Sequence, residues 1–264
     1  MGLPEAVVAC TVNPVNRSVY PAANQELEQG MTSLANQTVL VTGANRGMGR
    51  QYVTQLLDRG VAKVYAAARD ASRIDASDPR VVALRLDVTD AASVAEAGRV
   101  ASDVSVLINN AGIARGASVL SADTASLREE LETNLFGPLA MASTFADGIA
   151  ERSGAIVNVA SVLAWLPIGA SYGVTKAALW SATDSMRLEL GPRGVQVVGV
   201  YVGLVDTDMG NAFADTPKSD PADVVRAVLD GIESGAEDVL ADDMTRTVRA
   251  LLDKPASERL AAMS

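Results

Sequence analysis

The chain has 264 residues, 48% of them hydrophobic and only 4% aromatic, enough for one large α/β domain whose core is built from valine, alanine, leucine and isoleucine. A formal net charge of −10, with no run of lysine or arginine to offset it, excludes a polynucleotide or an anionic lipid surface as the expected partner. The absence of histidine excludes a Ser-His-Asp triad and every histidine-ligated metal site, and the single cysteine, Cys10, excludes an intrachain disulfide and makes the cytoplasm the expected compartment.

Residues 1–36 scatter Asn, Gln, Pro and Ser among short apolar pieces without a sustained period, so a loosely ordered extension is expected ahead of a single domain over 37–264. Met31 lies just before the first strand, so the extension reads either as the product of an upstream start codon or as an arm docking on a neighbouring subunit. No basic start followed by an apolar run, and no stretch of about 20 apolar residues, suggests a signal peptide or a membrane span. The β-branched run Thr38–Thr42 predicts a first strand, and the glycine-rich turn after it leads into a helix over 49–59 that stops at Gly60. Strands are expected at Lys63–Ala68, 81–86 and 104–108, with Asp90 capping a helix over Ala91–Val100. A long helical region over 126–150 carries Gly137-Pro138 as a kink, and Ala155–Val159 is the fifth strand. A helix over 172–190 ends at Gly191-Pro192, a sixth strand over 196–202 is apolar on both faces, Pro221 opens a helix to 234, and Asp238–Leu240 is a short edge strand. Strands alternating with helices imply βαβ crossovers, hence a doubly wound parallel sheet of the Rossmann type with its ligand crevice where the strand order reverses.

Four blocks in this order carry chemistry. The loop Thr42-Gly43-Ala44-Asn45-Arg46-Gly47-Met48-Gly49, between a strand and its helix, lets backbone approach a pyrophosphate while the helix N-terminus offers unpaired N–H groups. Arg46 in that loop and Arg69 after the second strand suit a 2′-phosphate, and Ala68 stands where a carboxylate would grip a bare ribose. Asp87 ends the third strand, where it either binds an adenine amino group or caps a turn. Tyr172 and Lys176 are four apart on a helix, so a lysine ammonium can lie beside the phenol and ease its ionisation, and Ser161 precedes them as a donor for a developing oxyanion.

With these motifs and the Asn109-Asn110-Ala111-Gly112 turn, residues 37 to about 240 resemble the short-chain dehydrogenase/reductase family. The resemblance implies NAD(P) binding at Gly43, Asn45, Arg46, Gly47, Met48 and Gly49, adenine contact at Asp87 and Val88, and support of the cofactor site by Asn109, Ala111 and Gly112. It further implies a catalytic set of Asn134, Ser161, Tyr172 and Lys176, in which Tyr172 is the acid/base and Ser161 polarises the carbonyl. Lys176 then holds the nicotinamide ribose, and Asn134 anchors a water that relays protons to the lysine. Thr207 falls where the family contacts the nicotinamide carboxamide, and the resemblance places Val205 in the cofactor-binding set. Two departures stand out: Ser161 is eleven residues before Tyr172, closer than the family's usual spacing, and Val202-Gly203 replaces Pro-Gly.

These observations give an NADPH-preferring enzyme that interconverts a ketone or aldehyde with its alcohol. An NAD-dependent alcohol dehydrogenase and a non-catalytic cofactor-binding regulator are the alternatives. Ile113, Val162, Leu163, Trp165, Leu204, Met209 and Phe213 are expected to wall an apolar substrate pocket. The resemblance implies a homodimer or homotetramer paired through the two long helices.

Overall fold

The computed structural model describes residues 32–121, 124–212 and 215–262. The expected strands form β1 (Thr38–Thr42), β2 (Lys63–Ala68), β3 (Val81–Arg85), β4 (Val106–Asn109), β5 (Ala155–Val159), β6 (Gln196–Tyr201) and β7 (Asp238–Leu240). All pair in parallel, in the order β3-β2-β1-β4-β5-β6-β7. Strand order therefore reverses between β1 and β4, and a crevice opens beyond their carboxyl ends.

Strands apolar on both sides need cover on both faces, and the helices supply it. On one face Tyr52, Val53 and Leu56 of α1 (Gly47–Asp58) pack with Val225, Val228, Leu229 and Ile232 of α6 (Pro221–Glu233). On the other, α2 (Ala91–Val100), α4 (Gly137–Glu151) and α5 (Ala170–Leu190) contribute Val94, Met141, Phe145, Ile149 and Met186. Burying such side chains stabilises the fold by roughly 1.5–3 kcal/mol apiece. Among the described residues no helix is long and apolar enough to cross a membrane.

Three local features differ from expectation. The region read as one kinked helix begins as α3 (Ala125–Leu131), widens into a π turn over Glu132–Phe136 and continues as α4. Pro138 explains the widening, because its ring opposes the carbonyl four residues back and it offers no N–H, so the hydrogen-bond register shifts just before it. Packing also starts before residue 37, since Leu34 is fully buried in the core and the Asn36 amide donates to the Gly60 carbonyl at 2.9 Å. The first 31 residues, on which most of the extension falls, lie outside the described residues. Finally, Asp242 caps an unanticipated helix, α7 (Asp243–Arg249), accepting from the Thr245 amide at 2.7 Å, and α8 (Ala256–Ala261) follows.

The turn from β1 into α1 depends on close backbone approach. A Cβ at Gly49 would overlap the carbonyl oxygen of Gly43. Gly49→Ala is expected to lower unfolding free energy by about 1–3 kcal/mol in urea denaturation, since nothing but backbone can give way there; unchanged stability would show that the turn relaxes freely.

Candidate active site

Beyond the ends of β1 and β4 lies a cleft of about 1090 Å³. Its floor is the β1–α1 turn, where Gly43 adopts a φ of 67°, the region that favours glycine, and where a Cβ would come within 3.0 Å of the Ala111 Cα. The first turn of α1 holds no acidic residue and its N-cap, Arg46, makes no side-chain cap bond, so the leading N–H groups face the cleft uncompensated. That arrangement fits a pyrophosphate. Asn45, Arg46, Gly47 and Met48 all line this end, joined by Arg69 and by Arg73, which sequence reasoning missed. Asp70 lines it too, but its carboxylate is engaged by the Ser72 amide at 3.2 Å and hydroxyl at 2.6 Å, and those bonds hold it below the usual carboxylate range. Arginines without a free acid beside them suit a phosphorylated ribose. Across the cleft mouth Arg46 pairs with Asp208 at 2.9 Å, both side chains mostly in solvent.

Farther along, Asp87 and Val88 line the wall, and Asp87 accepts from the Thr89 amide at 3.0 Å and hydroxyl at 2.7 Å, the turn role that sequence allowed for it. Ala111, Gly112, Val205 and Thr207 line the cleft as expected. Asn109 does not: its buried amide donates to Asn158 Oδ1 at 2.9 Å, and the next residue, Asn110, faces the cleft instead. The signal available was the alternation of side chains at a strand end, which exchanges the two asparagines.

At the far end Ser161, Tyr172 and Lys176 come together on one wall. Ser161 follows β5 and caps a short 3-10 turn, accepting from the Leu163 amide at 3.1 Å and donating to the Val202 carbonyl at 3.3 Å. The short connection from Ser161 to Tyr172 is spanned by 3-10 turns at Val162–Ala164 and Pro167–Gly169, and Ala170 is left with a φ of 48°. A non-glycine residue there costs on the order of 1 kcal/mol. Lys176 Nζ lies 5.5 Å from the Tyr172 ring centroid and donates to the Val159 carbonyl at 2.8 Å. The lysine thus lies beside the phenol, as the i, i+4 spacing suggested. Burial pushes the Tyr172 phenol well above its ordinary value, Ser161 offsets part of that, and the charge of Glu130 adds to it. Burial likewise pulls the Lys176 amine down to about 8. Both groups are driven toward their neutral forms by the same dry wall.

Asn134 sits in the π turn, fully buried, and its amide is engaged by backbone and helix: Oδ1 accepts from the Ile113 amide at 2.9 Å, and Nδ2 donates to the Ile113 carbonyl at 2.8 Å and to Thr175 Oγ1 at 3.0 Å. It thus ties the segment following β4 to α5. Of the expected pocket walls, Ile113, Leu163, Leu204 and Met209 line the cleft. Val162 and Trp165 do not: both are buried, and Trp165 stacks on Tyr201 at 4.3 Å beneath the site. Phe213 lies outside the described residues. Ile168 and Ala170, in the short connection, line the cleft unanticipated. Among the described residues no group of three acidic, cysteine or histidine side chains could hold a metal ion.

The family model for short chain dehydrogenase matches residues 37–218. The short-chain dehydrogenase srdE of Neurospora crassa is 31% identical over 187 residues, 68% of this chain and 64% of its own length. A short chain dehydrogenase from Burkholderia cenocepacia J2315, solved in complex with NADP, is 37% identical with a TM-score of 0.82, over 88% of this chain and 98% of that one. A 3-ketoacyl-(acyl-carrier-protein) reductase from Brucella melitensis, complexed with NADH, is 25% identical with a TM-score of 0.71, over 78% of this chain and 98% of that one. Against four of its curated relatives the chain spans between 48% and 64% of their length.

Lys176 links the wall to stability. Its folded value near 8 lies below the ordinary 10.5, so folding is penalised while the buried amine is charged, and the penalty is relieved as pH rises from about 8 toward the unfolded value. Wild type is therefore expected to gain stability on Lys176→Met between about pH 8 and 10, at no more than about 1.4 kcal/mol per pH unit, read by urea denaturation. A difference that stays flat with pH would mean the amine is not held in a dry site.

Proposed function

We propose that this chain, which belongs to the short-chain dehydrogenase family, is an NADPH-preferring oxidoreductase that interconverts a ketone or aldehyde with its alcohol, using Tyr172 as the acid/base. The observation that carries the reading is the meeting of Ser161, Tyr172 and Lys176 on one wall of a cleft whose other end is an anion-binding turn.

When bound, the reduced nicotinamide supplies the hydride. The Gly43–Met48 turn and the α1 N-terminus hold the pyrophosphate, Arg46 and Arg69 the 2′-phosphate, with Arg73 beside them, and Asp87 and Val88 the adenine. Ala111, Gly112, Val205, Thr207 and Lys176 border the nicotinamide end. The Ser161 hydroxyl and the Tyr172 phenol meet the charge that builds on the carbonyl oxygen, and the phenol gives that oxygen its proton. A phenol that burial keeps protonated is suited to this donor role. Lys176, an amine poised near 8, can pass a proton toward the phenol near neutrality. Asn134 acts on the site through Ile113, whose amide and carbonyl it fixes.

Ile113, Leu163, Ile168, Leu204 and Met209 give the substrate end an apolar wall, which suits an apolar or aromatic carbonyl compound. A cytoplasmic location belongs to the same reading, as does assembly into a homodimer or homotetramer, supported by exposed Phe136, Val174 and Leu188 on the helical faces expected to pair. Use of NAD as an alcohol dehydrogenase is the second reading, favoured by Asp70 in the cleft and by the NADH-bound relative from Brucella melitensis.

Two experiments test the reading. Tyr172→Phe is expected to abolish ketone and aldehyde turnover while NADPH binding, followed by cofactor fluorescence, stays near wild type; Ser161→Ala loses about 10²- to 10³-fold in kcat at most, because the phenol still faces the oxygen. Full activity in Tyr172→Phe would end the proposed mechanism. For the cofactor, wild type is expected to use NADPH better than NADH in kcat/KM, and Ala68→Asp with Arg69→Gln to shift the preference toward NADH. A wild type that already favours NADH refutes the phosphate clamp.

A further inference from the structure

Glu130, in α3, is the only acidic residue among the described ones to be completely buried, at 0% exposure. Its sequence neighbours Glu129 and Glu132 are exposed, so the burial is specific to this position. A buried carboxylate is costly unless its oxygens are engaged. One oxygen, Oε1, accepts from two consecutive backbone amides, Arg115 at 2.5 Å and Gly116 at 3.2 Å. The other, Oε2, is buried with no hydrogen-bond partner. The amides it holds belong to the segment that runs from the end of β4 along the substrate end of the cleft, where Ile113, Ala114, Arg115 and Gly116 form the wall.

That segment is anchored at three points. Asn134 holds Ile113 by its amide and carbonyl, Glu130 holds Arg115 and Gly116, and Ser171 closes the far end. The Ser171 hydroxyl accepts from the Ala117 amide at 3.0 Å, and the Ser171 amide donates to the Ala117 carbonyl at 3.0 Å. Ser171 is the residue immediately before Tyr172. One wall of the substrate end is therefore fastened at its middle by Glu130 and at its end to the backbone that carries the phenol.

We propose that Glu130 is a positioning residue for the carbonyl chemistry: its carboxylate fixes the 113–117 segment so that the substrate wall and Tyr172 keep one distance. The inference rests on the reading of this cleft as a carbonyl-reducing site. Glu130 touches neither cofactor nor substrate wall side chains in this role; it acts through the Arg115 and Gly116 amides. The carboxylate is also near enough to Tyr172 for its charge to oppose phenolate formation, which keeps the proton on the donor.

The test compares Glu130→Ala, which removes the acceptor, with Glu130→Gln, which keeps an oxygen for the two amides. Small displacements of a reacting group cost about 10- to 100-fold in rate, so Glu130→Ala is expected to raise KM for a ketone substrate and lower kcat, with kcat/KM down by at least about tenfold and NADPH affinity unchanged. Glu130→Gln is expected to recover kcat/KM to within about threefold of wild type. A folded Glu130→Ala with wild-type kinetics, or a Gln variant as impaired as the Ala variant, overturns the role. Should Glu130→Ala fail to fold, Ser171→Ala cuts the same segment at its other end; it is expected to show the same change in KM and kcat, and unaltered kinetics there overturn the inference. Hydrogen exchange at the Arg115 and Gly116 amides gives a readout independent of turnover, and must rise in Glu130→Ala. Wild type that reduces no ketone or aldehyde while those amides are protected refutes the carbonyl reading; wild-type turnover with amides equally protected in wild type and Glu130→Ala refutes only the positioning role.

Discussion

Two strands that part at the centre of a parallel sheet leave backbone amides that no ladder can satisfy, and here a single hydroxyl takes them. Thr42 Oγ1, at the end of β1, accepts from the Asn110 amide at 3.0 Å and the Ala111 amide at 2.9 Å. In return the Asn110 side chain donates to the Thr42 carbonyl at 2.9 Å. The exit path of β4 is fixed by these bonds, and the exit path decides everything that follows along the cleft. Residues 111 and 112 are held beside the glycine turn, residue 113 reaches Asn134, and residue 117 reaches Ser171. The glycine turn and the backbone at Ser171 are thus joined by one continuously anchored stretch of chain.

A cluster of buried polar groups backs this wall of the cleft. Asn134, Ser161, Thr175 and Lys176 are all buried, and each has its hydrogen-bonding capacity directed at backbone or at another member of the group. In a low-dielectric setting such bonds strengthen, and any unmatched member costs more than it would in water. The same setting moves the phenol and the amine toward neutrality from opposite sides. Burial thus makes any charge on either group costly where the two lie side by side.

Much of this was legible in the residues because the relevant signals are local. β-branched runs, glycine at tight turns and an i, i+4 pair on a helix each constrain a few neighbouring residues, and the strands, the β1–α1 turn and the meeting of Tyr172 with Lys176 followed from them. What stayed hidden depends on contacts far apart in the chain. Trp165 reads as a pocket wall beside the serine, yet it stacks on Tyr201 and lies under the Arg249 guanidinium, a partner from the unanticipated α7. The π turn carries Asn134, whose partner Ile113 lies 21 residues away, and Pro138 read in sequence marks only a kink. Glu130 sits in an acidic stretch that looks like a solvated helix face, and only the fold turns it inward. Asn109 and Asn110 differ by one step of strand alternation, too fine a distinction for boundaries read from sequence.

Arg46, finally, already has an anion. Its pairing with Asp208 joins the nucleotide turn to the segment after β6, with side chains 58% and 66% exposed, so the pair is worth about 0–1 kcal/mol. On the proposed reading, a phosphate arriving at Arg46 would perform an ion exchange, trading a weakly held carboxylate for a more highly charged oxyanion. The released Asp208 belongs to the same short 3-10 segment as Met209, which borders the substrate end. The nucleotide turn and the segment that carries Met209 thus meet in one exposed ion pair, and an anion competing for Arg46 would loosen that joint.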